Sequence, residues 1–261
     1  MRALKSEWIK LKSIRSTWIS IAIVSVVILL NVIVLSESTS FNNKGEIWNL
    51  THLVCGQAII VVCGIIIMIF ASNEFDNGTI NQSLLATPNR TAYFLSKGLI
   101  SSLYMTIFGI ICMLLSFISI YAIKGHISSN SFFEEISYHF TGNFIFSVLG
   151  FFLLAWLFHA IAMLTRKSTT ALSVFFGIWI GSFMLAVTLG RIKGFIGDFI
   201  KFLYCLTPNE IFRHLTNAWG MYEKLPSGDL YIIWWQALLS IVSVTIIINI
   251  VALLSLKKQD I

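Results

Sequence analysis

The sequence predicts an all-α integral membrane protein that forms one domain over residues 1–261 and crosses the bilayer six times. Hydrophobic residues make up 57% of the chain and charged residues only 11%, whereas a soluble domain carries roughly 25% charged residues. The apolar residues fall in blocks of about 20, which is the length that a helix needs to cross a hydrocarbon core ~30 Å thick. The blocks are continuous rather than alternating, which favours helices over strands.

The first element is an amphipathic helix within residues 2–15. Its apolar side chains recur at helical spacing: Leu4, Trp8, Leu11 and Ile14. Lys5, Lys10 and Lys12 lie off this stripe. A basic amphipathic helix with a tryptophan is typical of the membrane surface, although a plain charged flank remains the alternative. The apolar stretch that follows is longer than an ordinary signal-peptide core, and we expect it to be retained as the first span.

The six spans are predicted from the apolar blocks alone. They are residues 17–35, 50–72, 97–121, 143–164, 169–189 and 231–255. Lys and Arg are concentrated at the N-terminus, between the second and third spans, between the fourth and fifth spans, and at the C-terminus. The two shorter outer loops hold only Lys44 and Lys124. This bias predicts that both termini are cytoplasmic in a multi-pass protein of the cell membrane.

The outer segment 190–230 is predicted to contain two short amphipathic helices before the last span. The first has an apolar stripe at helical spacing: Ile192, Phe195, Ile196, Phe199 and Leu203. The second begins at Thr207, where Pro208 suits the first helical position and Glu210 completes a capping box. Both helices are expected to lie on, or dip into, the outer leaflet.

The predicted spans exclude several kinds of chemistry. They contain no Asp, Glu, Lys or Arg away from their ends, which disfavours a secondary transporter coupled to ions. His159 is the only titratable candidate deep in a span, and we expect it to bond a neighbouring helix. No CxxC pair is present, so we predict neither a metal site nor a disulfide. No hydrolase motif is present in a span, which disfavours a membrane hydrolase. The net charge of +6 lies at the ends of the spans, where it suits lipid head groups rather than nucleic acid.

The chain also lacks the phosphate-binding loop GxxxxGK[ST]. We therefore do not expect it to be an enzyme, and any energy from ATP must come from another subunit.

The connection between the second and third spans has a distinctive pattern. Asp76 or Asn77 could cap a short helix, and Pro88 would end it because the residue before proline avoids helical geometry. The helix would carry one apolar edge: Ile80, Leu84 and Leu85. Such a helix could be a contact for a soluble partner or a connector on the membrane surface, and the pattern alone does not separate the two.

Two glycines in the fifth span, Gly177 and Gly181, have the small-xxx-small spacing of packed membrane helices. The motif could be a dimer face or a close contact within the same bundle.

The connection resembles that of ABC-2 type permeases, which commonly carry a Glu at the end of the second span, then Gly-Thr, a Leu-rich turn, Pro, Arg and a Lys. The matching residues are Glu74, Gly78, Thr79, Leu84, Leu85, Pro88, Arg90 and Lys97. The resemblance extends in layout over the whole chain. The size and layout of the chain are similar to those of the small bacterial permeases of peptide-antibiotic immunity and bacitracin resistance, which implies a bacterial plasma membrane.

This resemblance implies the permease subunit of an exporter for an amphiphilic peptide, antibiotic or lipid-like substrate. Two ABC ATPase subunits would bind ATP and Mg, so that no cofactor belongs to this chain, and an identical or related permease would complete a dimer. Arg166 and Lys167 would form a second contact with the ATPase. The residues that would couple to it first are Glu74, Gly78, Thr79, Ile80, Leu84, Leu85, Pro88 and Arg90. A non-transporting membrane sensor or assembly partner is the alternative.

Overall fold

The computed structural model describes residues 2–13, a few residues between 18 and 30, and the ranges 46–86, 89–124, 141–188 and 234–258. Within these ranges it contains seven helices and no strand. In chain order they are α1 (Arg2–Ser13), α2 (Glu46–Asp76), α3 (Ile80–Ala86), α4 (Arg90–Lys124), α5 (Thr141–Thr165), α6 (Ser168–Thr188) and α7 (Trp234–Lys257). The all-helical fold class predicted from the sequence is confirmed.

Among the described helices, four have a stretch long and apolar enough to cross a membrane: Ile59–Asp76, Arg90–Leu115, Phe144–Thr165 and Leu238–Lys257. A fifth helix, α6, has a shorter apolar stretch, Ser168–Gly181. Most of the predicted first span and all of the segment 190–230 lie outside the described residues. The number of six spans therefore stays a prediction, as do the two amphipathic helices of that segment.

Helix α5 lies at the centre of the bundle and packs against α2, α4, α6 and α7. Its approach to α4 depends on Gly98, where an added Cβ would lie 2.2 Å from the indole of Trp156. Apolar burial drives little association between helices in lipid, so close packing supplies much of the attraction. The glycine lets the indole sit directly against the α4 backbone.

The turn between α2 and α3 is a glycine-terminated helix end. Gly78 has a φ of 67°, a left-handed conformation that glycine adopts without steric cost. The amide of Gly78 donates to the Phe75 carbonyl (3.2 Å) and the amide of Thr79 donates to the Glu74 carbonyl (2.9 Å). This bonding satisfies carbonyls at the end of α2 that would otherwise lack partners. Thr79, and not Asp76 or Asn77 as predicted, directly precedes α3.

Helix α4 begins earlier than the predicted third span, at Arg90 instead of residue 97. Asn89 caps it, because the Asn89 Oδ1 accepts hydrogen bonds from the amides of Thr91 (3.0 Å) and Ala92 (3.4 Å). Lys97 consequently lies two turns inside a helix instead of at its start, and only 1% of this residue is exposed.

Candidate functional site

Several polar contacts join the helices at one end of the bundle. We call this the basic end. It contains the end of α2 at Asp76, the start of α4 at Arg90, the turn from Thr165 of α5 to Ser168 of α6, and the end of α7 at Lys257. Five side chains here form a group that we call the charge network: Glu7, Lys10, Glu74, Tyr93 and Lys97.

Glu74, one residue of the sequence pattern, is the centre of the charge network. Lys10 of α1 donates a hydrogen bond from its Nζ to the Glu74 Oε1 at 2.6 Å and another to the Glu7 Oε1 at 2.8 Å. The Tyr93 hydroxyl of α4 donates to the Glu74 Oε2 at 2.5 Å. Glu74 is itself buried. One carboxylate at the end of α2 thus fixes both the surface helix α1 and the start of α4.

Lys97 of α4 completes the charge network. Its Nζ lies 3.5 Å from the Glu74 Oε2, donates to the Tyr93 hydroxyl at 3.1 Å, and sits 5.3 Å from the centre of the Phe70 ring. A buried ammonium is tolerated only with a compensating charge and hydrogen bonds. The carboxylate, the hydroxyl and the aromatic face together provide that compensation.

Lys10 is the most exposed member of the charge network, since 43% of its side chain is accessible. Its partial burial works to lower its pKa, but hydrogen bonds and Coulomb attraction to Glu7 and Glu74 outweigh that effect and raise its pKa. Because the pKa is raised, the stabilisation is fully present below the ordinary lysine pKa and is lost only as the pH rises through the shifted value. The link between α1 and α2 is therefore present throughout the physiological range.

Asp76 has a different role from the one predicted. Its Oδ1 and Oδ2 accept hydrogen bonds from the amide of Ser168 at 3.3 and 3.1 Å. This amide belongs to the first turn of α6, where unpaired donors and the helix dipole favour a negative charge. Asp76 therefore joins α2 to α6 and does not cap α3.

Arg90 and Arg166, both predicted site residues, hold the end of α7. The Nη1 of Arg90 donates to the carbonyls of Leu256 and Lys257, each at 3.1 Å. The Nη2 of Arg166 donates to the Ser255 hydroxyl at 3.1 Å. A cation suits a helix C-terminus because the last carbonyls lack partners there. Lys167, the other predicted second-contact residue, is exposed.

The predicted apolar edge of α3 is turned toward the bundle. Ile80 and Leu84 are half-buried. They pack with a cluster of buried residues, namely Tyr93, Phe94, Ala160, Met163, Ala252 and Leu256. Asn81 and Gln82 of α3 are exposed. Nothing is described of the Leu85 side chain, and Pro88 lies outside the described residues.

Gly177 and Gly181 make no close contact with the described part of the chain. An added Cβ at either glycine would meet no atom within 4 Å. Of the two alternatives left open by the sequence, a contact within the bundle therefore has no support among the described residues.

Sequence reasoning missed Glu7, Lys10 and Tyr93 as members of the network. Lys10 was assigned only to a charged face, and no pattern indicated that α1 packs on α4. One signal was present, since Tyr93 lies four residues before Lys97 and so shares its helix face. The described residues contain no cluster of His, Cys, Asp and Glu suited to a metal ion.

Comparison with known proteins adds one match. The profile of a family described as ABC-2 family transporter protein matches residues 3–197. The matched region includes the charge network, α3 and α6, and it stops before α7. No curated protein and no solved structure matches the chain significantly.

Proposed function

Because this chain belongs to the ABC-2 family of transporter proteins, we propose that it is the transmembrane permease subunit of an ATP-driven exporter. ATP and Mg would be bound by a separate ATPase, present in two copies, and a second permease subunit would complete the pathway. The observation that carries the proposal is the position of α3. This short helix lies between α2 and α4, whose ends are linked to the other described helices, and its Asn81 and Gln82 side chains are exposed.

These links make α3 suited to transmitting movement. It is joined to α2 through the turn at Gly78, and α2 holds α1 and α4 through Glu74 and α6 through Asp76. Arg90, at the start of α4, in turn holds the end of α7. An ATPase that moved α3 would therefore shift the ends of several helices together. Such a shift could couple ATP hydrolysis in one subunit to a change between two states of the permease.

The bias in positive charge supports a cytoplasmic location for the basic end, where a soluble ATPase would reach α3. With Ile80 and Leu84 packed inward, α3 would offer Asn81 and Gln82 to the ATPase, and Arg166 and Lys167 would add a second contact. Gly177 and Gly181 of α6, where an added Cβ would meet no described atom within 4 Å, are suited to packing against the second permease subunit. An apolar, aromatic-rich interior suits an amphiphilic peptide, antibiotic or lipid-like substrate.

The direct test is co-purification of this chain with an ABC ATPase that carries the phosphate-binding loop. Gln82→Asp should reduce the co-purified ATPase at least tenfold, while the amount of permease in the membrane stays unchanged. Ser13→Asp is the matched control, because it adds the same charge at another exposed position of the basic end. ATP hydrolysis should require the partner, and the permease alone should show none.

Two outcomes would contradict the proposal. Equal co-purification with Gln82→Asp and with the unaltered chain would make α3 a surface connector. The absence of any ATPase in complex with the unaltered chain would favour the membrane sensor or assembly partner.

A further inference from the structure

A groove lies between α1, the segment that follows α1, and α4. Its volume is about 170 Å³, which is more than ten times the ~10–15 Å³ that one water molecule needs. Its inner wall contains the buried residues Leu11, Tyr104 and Phe108. Its rim contains Trp18 and Ile107, which are exposed. Every side chain that lines the groove is aliphatic or aromatic, so the groove is an apolar channel that is open on one side.

The groove extends from the basic end of the bundle into the length of α4. Helix α1 lies at the basic end, because Lys10 donates a hydrogen bond to Glu74 at the end of α2. On α4 the lining extends from Tyr104 to Ile111. These positions lie roughly 20–30 Å along the helix axis from its start at Arg90, at 1.5 Å per residue. A molecule that enters beside α1 would therefore lie along α4 within the hydrocarbon core.

The surface of α1 beside the groove carries a positive charge. Lys5 precedes Trp8 by three residues, so the two side chains are neighbours on the helix surface. Trp8 lines the groove, and Lys5 is exposed. The only acid of α1, Glu7, is buried and accepts a hydrogen bond from Lys10 in the charge network. An accessible cation therefore lies at the α1 end of the groove.

An apolar channel at membrane depth thus adjoins a cation at the membrane surface. Interfacial helices with lysines and a tryptophan bind anionic lipids, and anionic head groups attract cations near the membrane surface. We propose that this groove binds one acyl chain of an anionic phospholipid whose head group lies beside Lys5. A zwitterionic lipid fills the channel equally well, but its head group gains less from Lys5. The inference requires no hydrogen bond inside the groove, and it does not depend on the exporter function.

The test uses the full chain in nanodiscs of phosphatidylcholine that contain a trace of one photoreactive lipid. The two lipids compared are phosphatidylglycerol, which is anionic, and phosphatidylcholine, and both carry the same diazirine midway along one acyl chain. After photolysis, mass spectrometry gives the share of all adducts that lie on the groove residues. This share should be about fivefold larger for phosphatidylglycerol, as expected for one lysine near an anionic head group.

Two pairs of variants locate the effect. Lys5→Gln should reduce the ratio between the two lipids to about one. Lys258→Gln removes the same charge from an exposed position just after α7 and should leave the ratio unchanged. Ile107→Trp places an indole in the groove and should remove most of its phosphatidylglycerol adducts. Ile118→Trp makes the same change at an exposed position of α4 outside the groove and should leave those adducts in place.

Equal labelling of the groove by the two lipids on the unaltered chain would overturn the proposal, because the groove would then hold any lipid of the surrounding bilayer. A ratio that Lys5→Gln leaves at its original value, or groove adducts that Ile107→Trp leaves unchanged, would also overturn it. The absence of groove adducts with both lipids would overturn it in favour of a protein occupant, such as a second copy of the chain.

Discussion

Lys10 and Glu74 are 64 positions apart in the sequence, and their charged atoms are 2.6 Å apart in the structure. The contact fastens α1 to the end of α2, where α3 begins. An amphipathic helix at the chain start is therefore a structural part of the bundle and not only a charged flank.

Lys10→Met should weaken this attachment without preventing insertion. We expect a loss of about 1 kcal/mol in stability, because a hydrogen bond between charged groups is lost but the lysine is partly exposed to screening solvent. Thermal unfolding in detergent measures the change. Lys5→Met removes an exposed charge from the same helix, and it should unfold at the original temperature. Equal unfolding temperatures for the two variants would show that the contact contributes nothing.

Glu74 and Lys97 should behave as a coupled pair. Glu74→Gln leaves a buried ammonium without its carboxylate and should cost about 3–5 kcal/mol. Adding Lys97→Met should recover part of this loss, because the unpaired charge is then gone. Reaction of a thiol dye with the buried Cys63 and Cys112 reports unfolding of each variant. Additive losses in the double variant would mean that the two groups are not coupled.

Leu84→Asp should destabilise the permease. Leu84 packs into the apolar cluster with Ile80, and replacing a half-buried leucine with a charge removes packing and leaves the carboxylate poorly solvated. We expect about 2 kcal/mol and less protein in the membrane. Asn81→Asp adds the same charge on the exposed face of α3 and should leave the amount unchanged. The measurement is the amount of each variant in purified membranes. Equal amounts would contradict the packing of Leu84 toward the bundle.

Gly98→Ala and Gly177→Ala should have opposite effects. A methyl group at Gly98 meets the Trp156 ring at 2.2 Å, which should force α4 and α5 apart at a cost of about 1–3 kcal/mol. A methyl group at Gly177 meets nothing within 4 Å, and alanine improves helix propensity by up to about 1 kcal/mol. Unfolding of the detergent-solubilised monomer compares them. A stable Gly98→Ala protein would show that the interface relaxes freely.

The existence of α3 could be predicted from the sequence, but its orientation could not. The apolar spacing of Ile80 and Leu84 indicated a helix with one apolar edge, and the structure contains that helix. Spacing shows that an edge is apolar and does not show which surface covers it. Here the covering surface comes from α4, α5 and α7, whose positions depend on packing between distant parts of the chain.

Lys97 shows a second limit of pattern reading. A lysine near an apolar block is ordinarily placed at the end of a span, because an unpaired charge in hydrocarbon is costly. The structure instead places it inside α4 beside Glu74. The pairing depends on contact between two helices. Hydropathy averaged over a sequence window carries no information about a charge on another helix.

The burial of Lys97 also bears on how the chain is made. Synthesis runs from the N-terminus, so α2 with Glu74 leaves the ribosome before α4 with Lys97. A lysine at the centre of a span opposes the entry of its own segment into the bilayer by roughly 2.5–3.5 kcal/mol when it enters alone, and a lysine nearer the end of a span, as Lys97 is, opposes it by less. If α2 is still beside the insertion site, Glu74 and Tyr93 offset that penalty. The two helices should therefore enter the bilayer as a pair, which makes the order of elements along the chain part of its assembly pathway.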